Sequence, residues 1–232
     1  MITEKEFSHN LAFVREQLEN ACHQNRRDSS EITLLPVTKN WPIDAVKLCQ
    51  NAGIDRVGEN RVQEAIGKME QIRSIHFDLI GHLQSNKAKL AVGRFNCIQS
   101  VDSEKLLEKL AKIAGAKSLV QKILLQVNAG KDPAKFGISI EECEPVIEKA
   151  LSFESVDVLG FMTIAPFDPE NKSTAQYAFE KLRRLRDDMA ITFGESFSEL
   201  SMGMSGDLNE AIAAGSTMIR VGSALFGQRM QN

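Results

Sequence analysis

From residue 33 onward the chain alternates between short apolar runs and longer stretches whose apolar positions recur every three or four residues. The first pattern belongs to buried strands, the second to helices packed by one face. The strand-like runs are 33–39 (TLLPVTK), 56–59 (RVGE), 76–81 (HFDLIG) and 97–101 (CIQSV), then 121–127 (QKILLQV), 156–163 (VDVLGFMT), 199–203 (ELSMG) and 218–222 (MIRVG). Between them lie seven helical patterns, from PIDAVKLCQNAG to GDLNEAIAAG. One more helix precedes the first strand. In residues 3–25, Phe7, Leu11, Val14, Leu18 and Cys22 form one stripe, and Thr3 with Glu6 reads as a capping box.

Strand–helix alternation forces parallel strands, because each helix returns the chain to the same end of the sheet. Eight such units predict an α/β fold, a single (β/α)8 TIM-type barrel over residues 1–232 with an additional N-terminal helix. The segment 1–28 is expected to pack on the barrel, where the eighth helix is missing. A doubly wound open sheet is the rival, and the strand count favours the barrel.

Composition narrows the function. A formal net charge of −3 argues against a general nucleic-acid binder. The basic clusters Arg26-Arg27 and Lys181 to Arg186 sit in helical patterns and read as solvated faces. The start MITEKEF is not a signal peptide, and no apolar run approaches the ~18 residues of a membrane span. Cys22, Cys49, Cys97 and Cys143 form no CxxC pair, which suits reduced thiols in a cytoplasm. His9, His23, His76 and His82 lack metal-ligand spacing, so no metal site is expected.

In a parallel barrel the active face is built from the residues just past the C-terminal end of each strand. Here those positions hold Lys39, Glu59-Asn60, His82 to Asn86, Asn128, Thr163, Ser201 to Ser205 and Arg220 to Ser223. The glycine–serine turns in SMGMSGD and RVGS come after strands 7 and 8, where barrels frequently bind phosphate. A phosphate site across the mouth from a strand-end lysine suggests pyridoxal 5′-phosphate (PLP), whose aldehyde forms an imine with an amine. Arg220 is the candidate partner of the pyridine nitrogen. It would remain cationic and so weaken the electron sink that most PLP enzymes use.

At these residues the sequence resembles the YggS/PROSC family, the pyridoxal-phosphate homeostasis proteins. The likeness runs from about residue 31 to 228 through LLPVTK (34–39, after Thr33), VGENRVQEA, FDLIGHLQSNK, GFMTIAP, LSMGMSGD and AIAAGSTMIRVGSALFG. It implies a barrel akin to the N-terminal domain of alanine racemase, with PLP carried as a Schiff base on Lys39. It further implies phosphate contacts from Ser201, Gly203, Ser205, Gly222 and Ser223, with Arg220 near the pyridine nitrogen and Asn60 near the ring. Where the family often has TKP, this chain has Asn40-Trp41-Pro42 after Lys39. Its MSxDxE pattern appears as MSGDLN, with Glu210 one place late. Lys135 in the KFG segment matches a family lysine and is a candidate secondary amine.

Two functions remain open. A racemase needs two acid/base groups on opposite faces of the cofactor, and the alanine racemase family draws the second, a tyrosine, from a separate β domain. The one tyrosine here, Tyr177, falls in a helical pattern expected on the exterior. The other reading is a non-catalytic carrier that holds and buffers PLP in cofactor homeostasis. Recipients would be PLP-dependent apo-enzymes, with no nucleic acid or membrane partner and a monomeric state. The carrier is the reading adopted, with a racemase-like enzyme as the alternative. A sugar-phosphate enzyme shares the phosphate turns but gives Lys39 no role.

Overall fold

The computed structural model describes residues 2–168 and 171–227. Its elements run α1 (Glu4–Gln24), β1 (Thr33–Pro36), α2 (Ile43–Asn51), β2 (Arg56–Glu59), α3 (Val62–Met69), β3 (His76–Leu79), α4 (Ala88–Ala91), β4 (Cys97–Val101) and α5 (Glu104–Ala116). They continue β5 (Gln121–Gln126), α6 (Cys143–Leu151), β6 (Val156–Met162), α7 (Lys172–Phe193), β7 (Glu199–Ser201), α8 (Leu208–Ala213), β8 (Met218–Val221) and α9 (Ser223–Phe226). Single 3-10 turns precede β1, α4 and α6. All eight expected strands form, most ending one to three residues early, where ladder pairing gives way to the mouth loops. The helix α9 is an addition to the expected elements: one turn of SALF is too short to show a period.

Every ladder is parallel, and the sheet order is β1-β8-β7-β6-β5-β4-β3-β2. The ring closes between β1 and β2 through the Val37–Gly58 bridge and an amide of Thr38 donating to the Gly58 carbonyl at 3.0 Å. This seam is thin for a covalent reason. The Thr33 and Val37 amides point toward β8. The even-numbered positions therefore face β2, and Pro36 has no N–H to give there.

Alternation along each strand sorts the core into two layers. Inside the barrel lie Leu35, Val37, Ile80 and Met218, and a second group of Cys97, Leu124 and Met162. Between sheet and helices lies the main core, including Val57, Phe77, Leu79, Ile98, Leu125, Phe161, Leu200 and Ile219.

The helix α1 has the expected capping box and stripe, with Phe7, Leu11, Val14, Leu18 and Cys22 buried. It packs against α8 and α9. Phe7 stacks on Phe226 at 5.5 Å, and the Asn10 amide donates to the Leu225 carbonyl at 3.0 Å. Arg27 then donates to the carbonyls of Ser216 and Ile212, at 2.5 and 3.3 Å, satisfying acceptors at the end of α8. The two short last helices are thus covered by the first long one. On α7, Arg183, Arg184 and Arg186 pair with Asp187 or Glu180, a solvated ionic face.

The four cysteines are free and buried. Burial pushes the Cys49 and Cys143 thiols up to about 12, so they stay protonated and unreactive. Among the described residues no helix is long and apolar enough to cross a membrane, and no cluster of His, Cys, Asp and Glu could hold a metal.

Candidate functional site

The strand order gathers the expected site residues into one sector. Ser201, Gly203 and Ser205 come from β7 and its loop; Arg220, Gly222 and Ser223 come from β8 and its loop. Lys39 comes just after β1 and Asn60 just after β2. These four strands are neighbours in the ring. The two glycine–serine turns therefore sit beside Lys39, not across the mouth from it as the order along the chain suggests.

Lys39 is half-buried in a turn beyond the Val37 bridge. Trp41 N–H closes that turn onto the Thr38 carbonyl at 3.1 Å, and Asn40 takes the left-handed conformation, with φ 60°, that asparagine tolerates. Trp41, which stands in the segment where the resembling family often has TKP, packs its ring 5.8 Å from Phe226 on α9. Asn60 is held from above. A Cβ on Gly81 would overlap the Asn60 carbonyl oxygen, so only glycine lets the loop after β3 close on that backbone.

Arg220 is 4% exposed, yet no carboxylate lies within ion-pair distance of it among the described residues. Its Nη1 donates to Ser201 Oγ and its Nη2 to the Thr163 carbonyl, both at 2.8 Å. Burial lowers the guanidinium to about 10, partly offset by the charge of Asp207, so it stays cationic at neutral pH. Ser201 Oγ in turn donates to Gln99 Oε1 at 2.7 Å. The Gln99 amide donates to Asp78 Oδ2 at 2.7 Å, and Arg56 lies 3.8 Å from the same oxygen. A polar chain thus runs through the barrel from Arg56 to Arg220. Burial raises the Asp78 carboxyl above the usual range, opposed by Arg56, Asn96 and Gln99.

The turn after β7 is built on a glycine for two reasons. Gly203 has φ 94°, and a Cβ there would overlap the Ala211 Cβ on α8. The next residues, Ser205 and Gly206, are exposed, as is Ser223 beyond Gly222. Asp207 ties the turn by accepting from Met204 N–H at 2.5 Å. Ser201 is different from these serines: it is fully buried, and its hydroxyl is committed to Gln99 and Arg220. Its hydroxyl is taken up beside Arg220, whereas the hydroxyl-bearing turn residues Ser205 and Ser223 are exposed.

The far side of the mouth has its own cluster. His82, after β3, bonds Asp102 at 2.6 Å and stacks on Phe136 at 4.0 Å. Lys135 adjoins Phe136 in the loop after β5, away from the Lys39 sector. Tyr177 is an exposed residue of α7 with Lys181 over its ring, outside the barrel.

Reading only strand ends finds Glu59 and Thr163 but misses Asp78 and Gln99, and also Glu64 and Lys68 around the Lys39 turn. A signal for Asp78 and Gln99 exists. Both are polar residues inside apolar runs, at the alternation that faces the barrel interior.

The parallel barrel, the lysine after β1 and the glycine turns after β7 and β8 define a (β/α)8 barrel protein with its candidate site at the C-terminal face. The chain belongs to the alanine racemase N-terminal domain family, whose model matches residues 4–230, and within it to the pyridoxal phosphate homeostasis proteins. It is 36% identical over 221 residues to the pyridoxal phosphate homeostasis protein of Aquifex aeolicus, covering 94% of this chain and 96% of that one. With the protein of that name from Escherichia coli K12 it shares 33% identity, covering 97% of each. Among solved structures it is similar to PipY of Synechococcus elongatus with PLP bound, at 35% identity and a TM-score of 0.84, covering 95% of this chain and all of that one. Alanine racemase of Clostridium difficile shares the fold at 15% identity, with a TM-score of 0.81, and this chain spans 61% of it.

Proposed function

We propose that this chain binds PLP as a Schiff base on Lys39 and carries or buffers it in cofactor homeostasis, without robust turnover. The observation that carries this reading is Arg220, a buried cation held by a hydroxyl and a carbonyl, with no ion-pair partner among the described residues. Only two of its five N–H groups find partners there, which suits an acceptor bound in the mouth.

When bound, PLP supplies an aldehyde that condenses with an amine and a ring that withdraws electrons best when its nitrogen is protonated. The residues of this chain fit the holding of that group better than its use. Lys39 offers the amine and Asn60 a polar contact at the rim. The exposed turns at Ser205 and at Gly222-Ser223 offer amides and hydroxyls to the phosphate. Arg220 remains cationic, so it donates a hydrogen bond but supplies no proton to the ring nitrogen. Proton transfer at two opposite faces would need a second base besides Lys39, and Tyr177 lies outside the barrel.

The test is deuterium exchange at Cα of alanine or serine, followed by NMR, beside transfer of the cofactor to an apo PLP-dependent enzyme. The carrier reading expects exchange close to that of free PLP. Exchange faster by about 10³-fold, the scale of acid–base catalysis, and abolished in Lys39→Ala would establish the racemase-like alternative instead.

A further inference from the structure

One cluster of charges grips the turn that carries Lys39 from both sides. Before the lysine, Thr38 donates its hydroxyl to Glu59 Oε1 at 2.6 Å, and its carbonyl accepts from Lys68 Nζ at 2.8 Å. After it, Asn40 donates its amide to Glu64 Oε1 at 2.5 Å. Lys68 joins the two carboxylates, 2.6 Å from Glu59 and 2.9 Å from Glu64. The three hydrogens of its ammonium therefore have three acceptors. Alternation along β2 explains how one short segment serves two purposes. Glu59 faces outward with Val57, toward α3, while Gly58 and Asn60 have the inward parity.

Such a cluster is a weak source of stability, because desolvating the charges offsets their attraction. Here Glu59 is fully buried, Lys68 is 5% exposed, and among the described residues Glu59 Oε2 has no hydrogen-bond partner. What the cluster does hold is the turn: three of its bonds end on the residues immediately flanking Lys39.

We infer that Glu59, Glu64 and Lys68 are positioning residues: they fix the backbone of the Lys39 turn and so the direction in which its amine approaches an aldehyde bound in the mouth. They act through Thr38 and Asn40. The inference rests on the reading of Lys39 as the attachment point.

Two ligands separate positioning from mere structural support. PLP can join the Lys39 amine, whereas pyridoxine 5′-phosphate carries an alcohol in place of the aldehyde and binds only through its other contacts. Glu64 is the first target, because it is partly exposed and its loss disturbs the fold least. In Glu64→Ala the formation of the imine band and the affinity for PLP should fall roughly tenfold or more, the scale on which a small misplacement slows a reacting group. Affinity for pyridoxine 5′-phosphate should hold within about a factor of two, by the same argument. Glu64→Gln keeps an acceptor for the Asn40 amide and should restore most of the loss. The double variant Glu59→Gln/Lys68→Met removes the buried charges together and should show the same split between the ligands. An equal loss for both ligands would mark the cluster as structural, and no loss for either would remove any positioning role. A wild-type protein with no borohydride-stable adduct at Lys39 would overturn the attachment reading first, and this inference with it.

Discussion

The two cations of the proposed site are held in opposite ways. Lys39 sits on a turn gripped from outside the barrel wall by ions, the Glu59–Lys68–Glu64 cluster, whose bonds reach Thr38 and Asn40. Arg220 is gripped inside the barrel by its own guanidinium, through the neutral groups Ser201 and Thr163, with Gln99 and Asp78 behind them. One device fixes the backbone on either side of the amine. The other fixes the side chain itself. The first suits the covalent attachment proposed for Lys39, and the second suits the fixed donor proposed for Arg220.

The largest difference should appear when each device loses its central member. Lys68→Met leaves the Glu59 carboxylate buried without its cation and should cost about 3–5 kcal/mol of stability, as breaking a buried pair does. Urea denaturation followed by circular dichroism measures it; a loss below about 1 kcal/mol would mean that the cluster relaxes into water. Gln99→Leu should be milder, about 1–3 kcal/mol, because it strands one acceptor on Asp78 and leaves the Ser201 hydroxyl without Gln99. Its distinguishing mark is in the bound cofactor: the spectrum should shift as Arg220 loosens, while the borohydride-stable adduct at Lys39 still forms. The reverse pattern, a lost adduct with an unchanged spectrum, would contradict the division of labour between the two regions.

The smallest effect is one of pH. Burial raises the folded-state pKa of Asp78, so this group's favourable contribution is complete below the ordinary carboxylate range and is lost as pH rises through the raised value. The wild type should therefore lose some stability across that window. Asp78→Asn should flatten the slope, although its side chain cannot accept equally well from both Asn96 and Gln99. An unchanged slope would show that Asp78 ionises as it does in the unfolded chain.

Much of this architecture is legible in the sequence, because eight apolar runs separated by amphipathic stretches leave a parallel barrel little competition. The elements that escape the pattern are physically small. The turn α9 has four residues, less than two helical periods, and is recognisable only once Phe226 is seen against Phe7 and Trp41. Strand ends point to the lysine and to the glycine turns, since the residues just past a strand face the mouth. They do not show what holds those residues. Lys68 reads as one more polar residue of a helix until the fold brings it against Thr38 and Glu59. Ser201 reads as one serine among several in the β7 turn. Only the register of β7 against β8 and the interior position of Gln99 separate it from Ser205. Alternation marks Gln99 as an interior polar residue, but its pairing with Ser201 across the barrel leaves no trace in local spacing.

Covalent attachment of PLP at Lys39, as proposed, can be read by reductive trapping. The protein is incubated with PLP, reduced with borohydride, digested, and its modified peptide located by mass. In the wild type the added mass should fall on Lys39. In Lys39→Ala the trapped adduct should be lost, while the circular dichroism stays unchanged. A wild-type adduct carried mainly by Lys135 or another lysine, or an adduct of equal yield in Lys39→Ala, would contradict that attachment.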